Sequence, residues 1–413
     1  MDRNIAKPEG FSRTDMIARR CLVGALIANA TGHSFILIVM PSLGRVFGFG
    51  DMQTGLLVGM SALLLALSGP FWGAISDRKG RRPVLLTALI SAVGFLLLLA
   101  GILYKRAAFD HPGSLFAVLL CARLVQVGLG GGLMPAAQAW LADRSGPQQR
   151  ASAMALMGSA FGLGSILGGI VAWLMSATAL LPALGLIAGF ILFTIVGLVL
   201  TLQDDPHKVV PQQASSLFPA NGGRINLYGL VPFLMVTVCG LSVYGLLYQV
   251  TPLRLQDVMG FSAEQAMQQS GRMMMLSLAG MVVAQGIGVR MLRWRPAVLL
   301  QSGAIMAILA MIGAVAAPTL LPLTLSMIFL GISLGLLIPG NLALLSLAVG
   351  PDAQARGAGI NAIAQGIGMA AGPVAGAGLY QVSEIAPYVL NVFLLVLIGV
   401  ISLFLRRKYA FAV

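Results

Sequence analysis

The chain has 413 residues, of which 58% are hydrophobic and only 9% are charged, against roughly 25% charged residues in an average soluble domain. This composition excludes an ordinary water-soluble protein. The net charge of +13 does not indicate nucleic-acid binding, because the basic residues lie at the ends of hydrophobic runs and form no basic stripe.

The hydrophobic runs predict twelve membrane-spanning helices joined mostly by short loops. In chain order the predicted helices lie near 21–43, 54–75, 83–104, 114–142, 151–175, 179–202, 228–250, 265–289, 297–317, 320–348, 355–381 and 386–405. The segment before the first helix mixes both signs of charge and has no small-residue cleavage site, so we do not expect a signal peptide. The sequence therefore predicts an all-α membrane protein.

One long polar stretch, QDDPHKVVPQQASSLFPANGGR, separates the sixth predicted helix from the seventh. Its charged and turn-forming residues are typical of a linker. We therefore expect an N-terminal six-helix bundle over 1–202, a cytoplasmic linker over 203–227 and a C-terminal six-helix bundle over 228–413.

The Lys and Arg residues predict the orientation in the membrane. With the N-terminus inside, 20 of the 26 basic residues lie in segments on the inner side and 4 on the outer side, while Arg123 and Arg272 lie within helices. Cytoplasmic loops carry an excess of basic residues. This division predicts a multi-pass protein of the plasma membrane, the inner membrane in a bacterium, with both termini in the cytoplasm.

The two predicted halves repeat one another in sequence. VMPSLGRVFGFGDMQ after helix 1 aligns with VTPLRLQDVMGFSAEQ after helix 7, and GAISDRKGRRPVLL aligns with GIGVRMLRWRPAVLL. Further on, Gly131 and Pro135 fall on Gly335 and Pro339. Repeats of this kind are typical of alternating-access transporters, in which two bundles rock about a site near the membrane centre. The repeat thus predicts two pseudo-symmetric bundles and a transport function.

The segment GAISDRKGRRP, which follows helix 2, resembles the signature of the major facilitator superfamily (Gly, then Asp-Arg, then Gly-Arg-Arg). The resemblance implies the major facilitator fold and a gating role for Gly73, Asp77 and Arg81. In the family such an Asp meets the start of helix 11, and such an Arg pairs with an acid at the end of helix 4, here Asp143. A purely topological role is the alternative for the basic residues. Arg290 replaces Asp77 in the second copy, which we expect to have lost this latch.

Glycines spaced by four residues predict close helix packing in helices 5 and 11. Helix 5 contains Gly164 and Gly168 in GSAFGLGSILGG, which resembles the Gly-Pro-x-x-Gly-Gly motif of exporters of the superfamily, above all drug/proton antiporters. Ser165 stands in place of the Pro, whereas helix 11 keeps the pair as Gly372 and Pro373. The resemblance favours export, although packing alone also explains the glycines.

By the geometry of the family, helices 1, 4, 7 and 10 line the transport cavity and helices 2, 5, 8 and 11 form the interface between bundles. The predicted substrate-binding residues on these helices are Asn29, His33, Met40, Arg123, Gln126, Tyr244, Tyr248, Arg272, Asn341, Asn361 and Gln365. A lone polar side chain in a membrane helix is more often a contact between helices than a ligand contact. Both interpretations stay open for these residues.

Proton coupling is predicted to involve His33 and Arg123. All 13 acidic residues fall near predicted helix ends or in loops, and His33 is the membrane-embedded group whose unperturbed pKa is near neutrality. The family attributes coupling to an Arg at the position of Arg123; a structural hydrogen bond is the alternative for both residues. Because the embedded charges Arg123 and Arg272 are positive, we expect an anionic or neutral substrate.

The sequence therefore predicts a secondary active transporter, a proton-coupled exporter of small amphipathic or anionic molecules such as a drug, an organic acid or a siderophore-like metal chelator. An uptake symporter for an organic anion, or a lipid-handling or non-transporting protein of the same fold, is the alternative. We find no P-loop, paired catalytic carboxylates or activated nucleophile, and expect no enzymatic activity, cofactor or bound metal. The expected partners are the substrate, protons and the lipid bilayer, without nucleic acid, and we expect a functional monomer.

Overall fold

The computed structural model describes residues 13–105, 111–144, 150–175, 179–202, 227–292, 294–349 and 353–408. Apart from its last residue, the predicted linker lies outside the described residues. Helices dominate the described part of the chain, and no strand occurs there.

The helices are numbered α1 to α12 and correspond one by one to the predicted ones. They are α1 (Arg13–Val46), α2 (Asp51–Lys79), α3 (Arg81–Tyr104), α4 (Pro112–Gly130 and Leu133–Arg144), α5 (Arg150–Leu174), α6 (Leu180–Thr201), α7 (Leu227–Asp257), α8 (Ala263–Val283, then a π-helical segment Ala284–Gly288 and a last turn Val289–Leu292), α9 (Pro296–Ala316), α10 (Leu320–Val349), α11 (Gln354–Tyr380) and α12 (Ala386–Lys408).

Eleven helices of the described chain are long and apolar enough to cross a membrane. The twelfth, α8, is less apolar because its first half carries three glutamines and Arg272. Successive spanning helices run in opposite directions, so α1 begins and α12 ends at the same face, called here the terminal face. The opposite face, which carries the α1–α2 and α7–α8 turns, is called the loop face.

The turn between α1 and α2 recurs between α7 and α8. Gly48 and Gly260 have positive φ angles of 81° and 71°, a conformation that glycine adopts without steric cost. Gln53 and Gln265 then cap the following helix in the same way, since each side-chain Oε1 accepts a hydrogen bond from the backbone N–H three residues earlier, at 2.8 and 3.0 Å. The repeat in the sequence is therefore a repeat of backbone geometry.

Within each half, a glycine-rich helix packs closely against the first helix of that half. A Cβ atom on Gly168 of α5 would lie 2.6 Å from the carbonyl oxygen of Thr31, and one on Gly372 of α11 would lie 2.4 Å from that of Ser242. The same contact recurs one turn earlier in both helices, at Gly164 and Gly368. The spacing of four thus marks close contacts of backbones, as the sequence predicts.

Glycines bring two helix pairs from opposite halves into close contact, α2 with α11 and α5 with α8. A Cβ atom on Gly55 would lie 2.8 Å from the carbonyl oxygen of Pro373, and one on Gly271 would lie 2.7 Å from the backbone nitrogen of Trp173. These contacts lie in the parts of the four helices near the loop face. The two halves therefore approach each other closely on that side of the molecule.

Candidate functional site

A cavity of about 240 Å³ lies within the N-terminal half. It is lined by Leu26, Asn29, Gly32, His33, Ile36, Leu65, Gly69, Ala92, Phe95, Leu96, Arg123, Gln126, Val127, Gly130, Gly131, Leu133, Met134, Pro135, Phe161 and Ile191. Four of the predicted binding residues, Asn29, His33, Arg123 and Gln126, meet here. Every lining residue belongs to α1–α6 or to the break in α4, so the N-terminal half alone forms the wall of this cavity.

Arg123 provides the positive charge in the wall of the cavity. Its side chain is only 3% exposed, Nη1 donates a hydrogen bond to Oε1 of Gln126 at 2.7 Å, and the guanidinium lies over the ring of Phe95, 5.1 Å from its centroid. The other N–H donors of Arg123 form no hydrogen bond with any described residue. An arginine this deep in a membrane helix requires partners or a watery cavity, and the partners that α3 and α4 supply here are uncharged.

His33 and Asn29 face the same cavity from α1, one helical turn apart. Both side chains are half-buried. Neither forms a hydrogen bond with another residue of the described ranges. Their polar atoms are thus available to a ligand or to water on the side of the cavity formed by α1.

The remaining predicted residue of α1 and the two of α7 lie outside this cavity. Met40 is fully buried near the loop-face end of α1, where the halves are closed together. The hydroxyl oxygens of Tyr244 and Tyr248 lie 3.2 Å apart and their rings meet edge to face. The Tyr248 hydroxyl also interacts with the side chain of Ser34 in α1. The tyrosine pair therefore lies at the contact between the halves.

The predicted asparagines of the C-terminal half bind each other through a threonine. Asn341 Nδ2 donates to Thr237 Oγ1 at 3.0 Å, and the Thr237 hydroxyl donates to Asn361 Oδ1 at 2.7 Å. Both asparagines are about 95% buried, with 4% and 5% exposed. This cluster joins α7, α10 and α11, and the packing interpretation describes its geometry better than a role in ligand binding.

Arg272 and Gln365 are exposed at the surface of the described chain. Each lies next to a glycine that packs between the halves: Gly271, before Arg272, packs against α5, and Gly366, after Gln365, packs against Ala66 of α2. Neighbouring residues of a helix point in different directions, so neither side chain points into the contact that its neighbouring glycine makes. Arg272 lies over the ring of Trp173, 5.9 Å from its centroid, so the two embedded arginines do not share a site.

The charged residues of the predicted gate form a cluster at the terminal face of the N-terminal half. Arg81 forms an ion pair with Asp77, and its Nε lies 3.4 Å from Oδ2 of Asp143. The Arg–Asp pair between the start of α3 and the end of α4 is thus present in the structure. Gly73 lies one turn before Asp77, where an added Cβ would be 3.9 Å from Pro135.

Pro373 lies where α2, α7 and α11 meet. Its ring packs against Gly245 of α7, and its carbonyl oxygen packs against Gly55 of α2. Because proline lacks an N–H, the helical hydrogen bond to the carbonyl of Met369 is absent. The Gly-Pro pair therefore combines a contact within the C-terminal half with a contact between the halves.

An ionic cluster at the loop face was not predicted as functional. Arg45 at the end of α1 donates from Nε to Asp51 at 2.8 Å and from Nη1 to Asp257 of α7 at 2.7 Å. The Tyr380 hydroxyl of α11 donates to Asp257 at 3.0 Å. In the sequence Arg45, Asp51 and Asp257 look like ordinary charges near helix ends.

Three glutamine side chains add hydrogen bonds between the halves on the same side. Gln249 Nε2 donates to Thr54 Oγ1 at 2.8 Å, Gln256 Nε2 to Ser42 Oγ at 3.1 Å and Gln268 Nε2 to the carbonyl oxygen of Met175 at 2.7 Å. Together with the ionic cluster, these bonds close the molecule at the loop face. The cavity wall extends from His33 toward Pro135, away from this closure.

Two repeated six-helix halves, closed together at one face, with a cavity lined by embedded polar side chains, are typical of membrane transporters. Residues 22–373 match the family model described as Major Facilitator Superfamily. The chain belongs to this superfamily, whose members are transporters and not enzymes.

Several known proteins are similar to this chain. It is 30% identical over 162 residues to the tetracycline resistance protein, class C, of Escherichia coli, a match that covers 38% of each chain. It is 27% identical over 250 residues to the multidrug resistance protein MdtL of Salmonella dublin, covering 59% of each. These matches thus span only about two fifths to three fifths of the relatives' length.

Solved structures share the fold over nearly the whole chain. A bacterial homologue of the human lysosomal transporter Spinster, in an inward-facing and occupied conformation, has a TM-score of 0.70. The superposition covers 96% of this chain and 98% of that chain at 16% identity. At this identity the likeness concerns the fold alone.

Proposed function

We propose that the protein is a proton-coupled exporter of small amphipathic or anionic molecules that works by alternating access. The observation that carries the proposal is the polar cavity around His33 and Arg123, deep in the bundle, in a molecule whose halves are closed at the loop face. Alternating access requires such a site to be shut from one side of the membrane while it opens to the other.

The excess of basic residues at the terminal face supports a cytoplasmic location for both termini. In this orientation the loop face is extracellular, and the structure represents a form closed to the outside. The names of two relatives refer to resistance to tetracycline and to multiple drugs, which supports export as the direction of transport.

The side chains of the cavity support proton coupling through His33. No Asp or Glu occurs among the described lining residues, so a carboxylate of the wall does not carry the proton. Histidine changes its charge near physiological pH more readily than other side chains. The positive charge of Arg123 lies close enough to His33 to repel a proton there. An anion bound to Arg123 would reduce this repulsion, which would link the protonation of His33 to the contents of the cavity.

The cavity also supports a functional monomer. Its wall is formed by residues of one chain and of one half, within the proposed N-terminal bundle over 1–202. The proposed C-terminal bundle over 228–413 supplies the partner surface that closes against it. No second copy of the chain is needed to complete the site.

A flux assay in proteoliposomes with an imposed pH gradient tests the proposal. The probes are 1-naphthoate, 1-naphthamide and 1-naphthylmethylamine, which share a ring system but differ in charge, and protein-free liposomes correct for passive distribution. Protein-dependent accumulation in the acidic compartment is expected for proton antiport. Accumulation in the alkaline compartment would instead indicate the uptake symporter.

The variant His33→Ala is expected to lose gradient-driven accumulation. His111→Ala is the matched control, because His111 is exposed at the start of α4, outside the cavity. Gradient-independent behaviour of all three probes with the parent protein would contradict secondary active transport. Unchanged coupling in His33→Ala would contradict the role of His33.

A further inference from the structure

The wall of the cavity carries both polar and apolar side chains. The polar ones are Arg123 and Gln126 on α4 and Asn29 and His33 on α1. The apolar ones include Leu26, Ile36, Leu65, Leu96, Met134 and Phe161, together with Phe95, whose ring lies against the guanidinium of Arg123. This combination matches a molecule with a polar head and an apolar body.

The guanidinium of Arg123 lacks a negatively charged partner among the described residues. Removing a cation from water costs several kcal/mol unless it is paired, and the hydrogen bond to Gln126 is a bond to a neutral amide. The remaining N–H donors open onto the cavity. Two parallel N–H groups of an arginine match the two oxygens of a carboxylate, and such charge-assisted bonds are about twice as strong as neutral ones.

The polar side chains predicted as binding residues in the C-terminal half do not line this cavity. Asn341 and Asn361 are bound to Thr237, and the exposed Arg272 lies against Trp173. The volume of about 240 Å³ lies below the range of roughly 300–1,000 Å³ of sites for drug-sized ligands. The occupant is therefore small.

We propose that the cavity binds a small amphipathic monoanion, with its carboxylate on Arg123 and its apolar body against the ring of Phe95 and the side chains of α1 and α5. This inference rests on the proposed function and narrows it from amphipathic or anionic molecules to molecules that are both. His33 and Asn29 are positioning residues that face the anionic head from α1.

Equilibrium binding to the purified protein in nanodiscs, without a pH gradient, tests the inference. The probes are the same naphthalene carboxylate, amide and amine. Because the ring is constant, we expect the carboxylate to bind the parent protein at least about tenfold more tightly than the amide, and the amine to bind most weakly. Weaker or equal binding of the carboxylate, or its failure to bind, overturns the proposal without any substitution.

Variants of Arg123 then locate the anion. Arg123→Gln is expected to lose about tenfold in carboxylate affinity, or about 1.4 kcal/mol, with little change for the amide. Arg123→Lys keeps the charge but not the two parallel donors, so its affinity for the carboxylate is expected to lie between those of the parent and Arg123→Gln. Arg20→Gln, an exposed arginine at the terminal end of α1, is the matched control and is expected to bind like the parent.

Retained carboxylate preference in Arg123→Gln overturns the assignment of Arg123. Binding is measured without a gradient, so the two proposals fail separately. Carboxylate binding without gradient-driven flux contradicts the exporter and leaves the anion site in place. Gradient-driven flux without charge preference contradicts the anion site and leaves the exporter in place.

Discussion

Arg45 of α1 and Asp257 of α7 join the two halves by a doubly bonded ion pair, with Nη1–Oδ1 at 2.7 Å and Nη2–Oδ2 at 2.8 Å. The offset of 212 residues that places Gly48 on Gly260 also places Arg45 on Asp257. Residues related by a two-fold axis can pair only close to that axis. Identical charges there would repel, whereas this chain has opposite charges at the two equivalent positions.

Removing this ion pair is expected to favour opening at the loop face. In Asp257→Asn the Arg45 side chain keeps Asp51 as its one charged partner among the described residues. The Arg45 and Asp257 side chains are 23% and 34% exposed, so the pair contributes about 1 kcal/mol or less, which limits the shift of the equilibrium to roughly fivefold. The measurement is the maleimide labelling rate of Ser42→Cys, a buried position beneath the cluster, in a background without native cysteines.

Glu384→Gln is the control for the labelling experiment, because Glu384 is an exposed acid in the α11–α12 connection. Its labelling rate is expected to equal that of the parent. A rate in Asp257→Asn that does not exceed that of Glu384→Gln would show that the ion pair does not hold the halves together.

The contacts between α2 and α11 predict how the terminal face closes. The close pairs are Gly55 with Pro373, Gly59 with Ala370 and Ala66 with Gly366. The same antiparallel register, continued toward the terminal face, brings Gly73 opposite Gly359 and Asp77 opposite the first turn of α11. Cysteines at Gly73 and Gly359 are therefore expected to form a disulfide when the terminal face closes.

Disulfide formation under mild oxidation measures this closure. We expect a higher yield when Asp257→Asn is added, because opening of one face accompanies closing of the other in alternating access. The two single-cysteine variants are the controls. A disulfide yield that is unchanged by Asp257→Asn would show that closing of the terminal face does not depend on opening of the loop face, which would contradict this prediction.

Substitution of the interhelical glycines is expected to lower stability in both halves alike. A Cβ on Gly168 or Gly372 meets a backbone carbonyl oxygen at 2.6 or 2.4 Å, so each Gly→Ala change forces the helices apart, at a cost of roughly 1–3 kcal/mol. Gly158→Ala is the matched control, since nothing lies within 4 Å of its added Cβ. In thermal unfolding we expect lower midpoints for Gly168→Ala and Gly372→Ala and an unchanged or slightly higher midpoint for Gly158→Ala. Equal unfolding midpoints for Gly158→Ala and Gly168→Ala would refute the packing interpretation.

The threonine between two asparagines is expected to stabilise the C-terminal half. Thr237→Val removes the hydroxyl that donates to Asn361 Oδ1, and a buried polar group left unpaired costs about 1–3 kcal/mol. Asn341 Nδ2 keeps its hydrogen bond to the carbonyl oxygen of Phe233 at 3.0 Å. Thr237→Ser keeps the hydroxyl and is the control. We expect a lower unfolding midpoint for Thr237→Val with unchanged binding of 1-naphthoate. A loss of binding without a loss of stability would instead make this cluster part of the substrate site.

Features that depend on local sequence could be predicted. The apolar runs predicted the helices, and the glycine spacing predicted the close contacts at Gly168 and Gly372. The signature after α2 predicted the pair of Arg81 with Asp143. Each of these depends on residues along one helix or on a recurring motif. The helices α1 and α7 extend well beyond their predicted ranges, because an apolar run marks the part in the membrane and the helix continues past it. In contrast, α6 is one residue shorter than predicted at each end.

Features that depend on the rotation of a helix could not be predicted. Arg272 and Gln365 have the polarity of cavity residues, but the neighbouring Gly271 and Gly366 pack between the halves, and both polar side chains lie exposed instead. Asn341 and Asn361 find a partner in Thr237, 104 and 124 residues away along the chain. Only the packed structure shows whether an embedded polar side chain forms a hydrogen bond with another polar side chain or faces a cavity.

The position of the cavity inside one half has a thermodynamic consequence. If Arg123, His33 and Phe95 move together, a bound molecule keeps the same contacts whichever face is open, and its affinity changes little during the transport cycle. A ligand with equal affinity for two states shifts no population between them. The balance between the two open forms would then depend on the surfaces that meet at each face, the Arg45 cluster at the loop face and the Asp77 cluster at the terminal face. The bound molecule would move with α1–α6 without changing that balance.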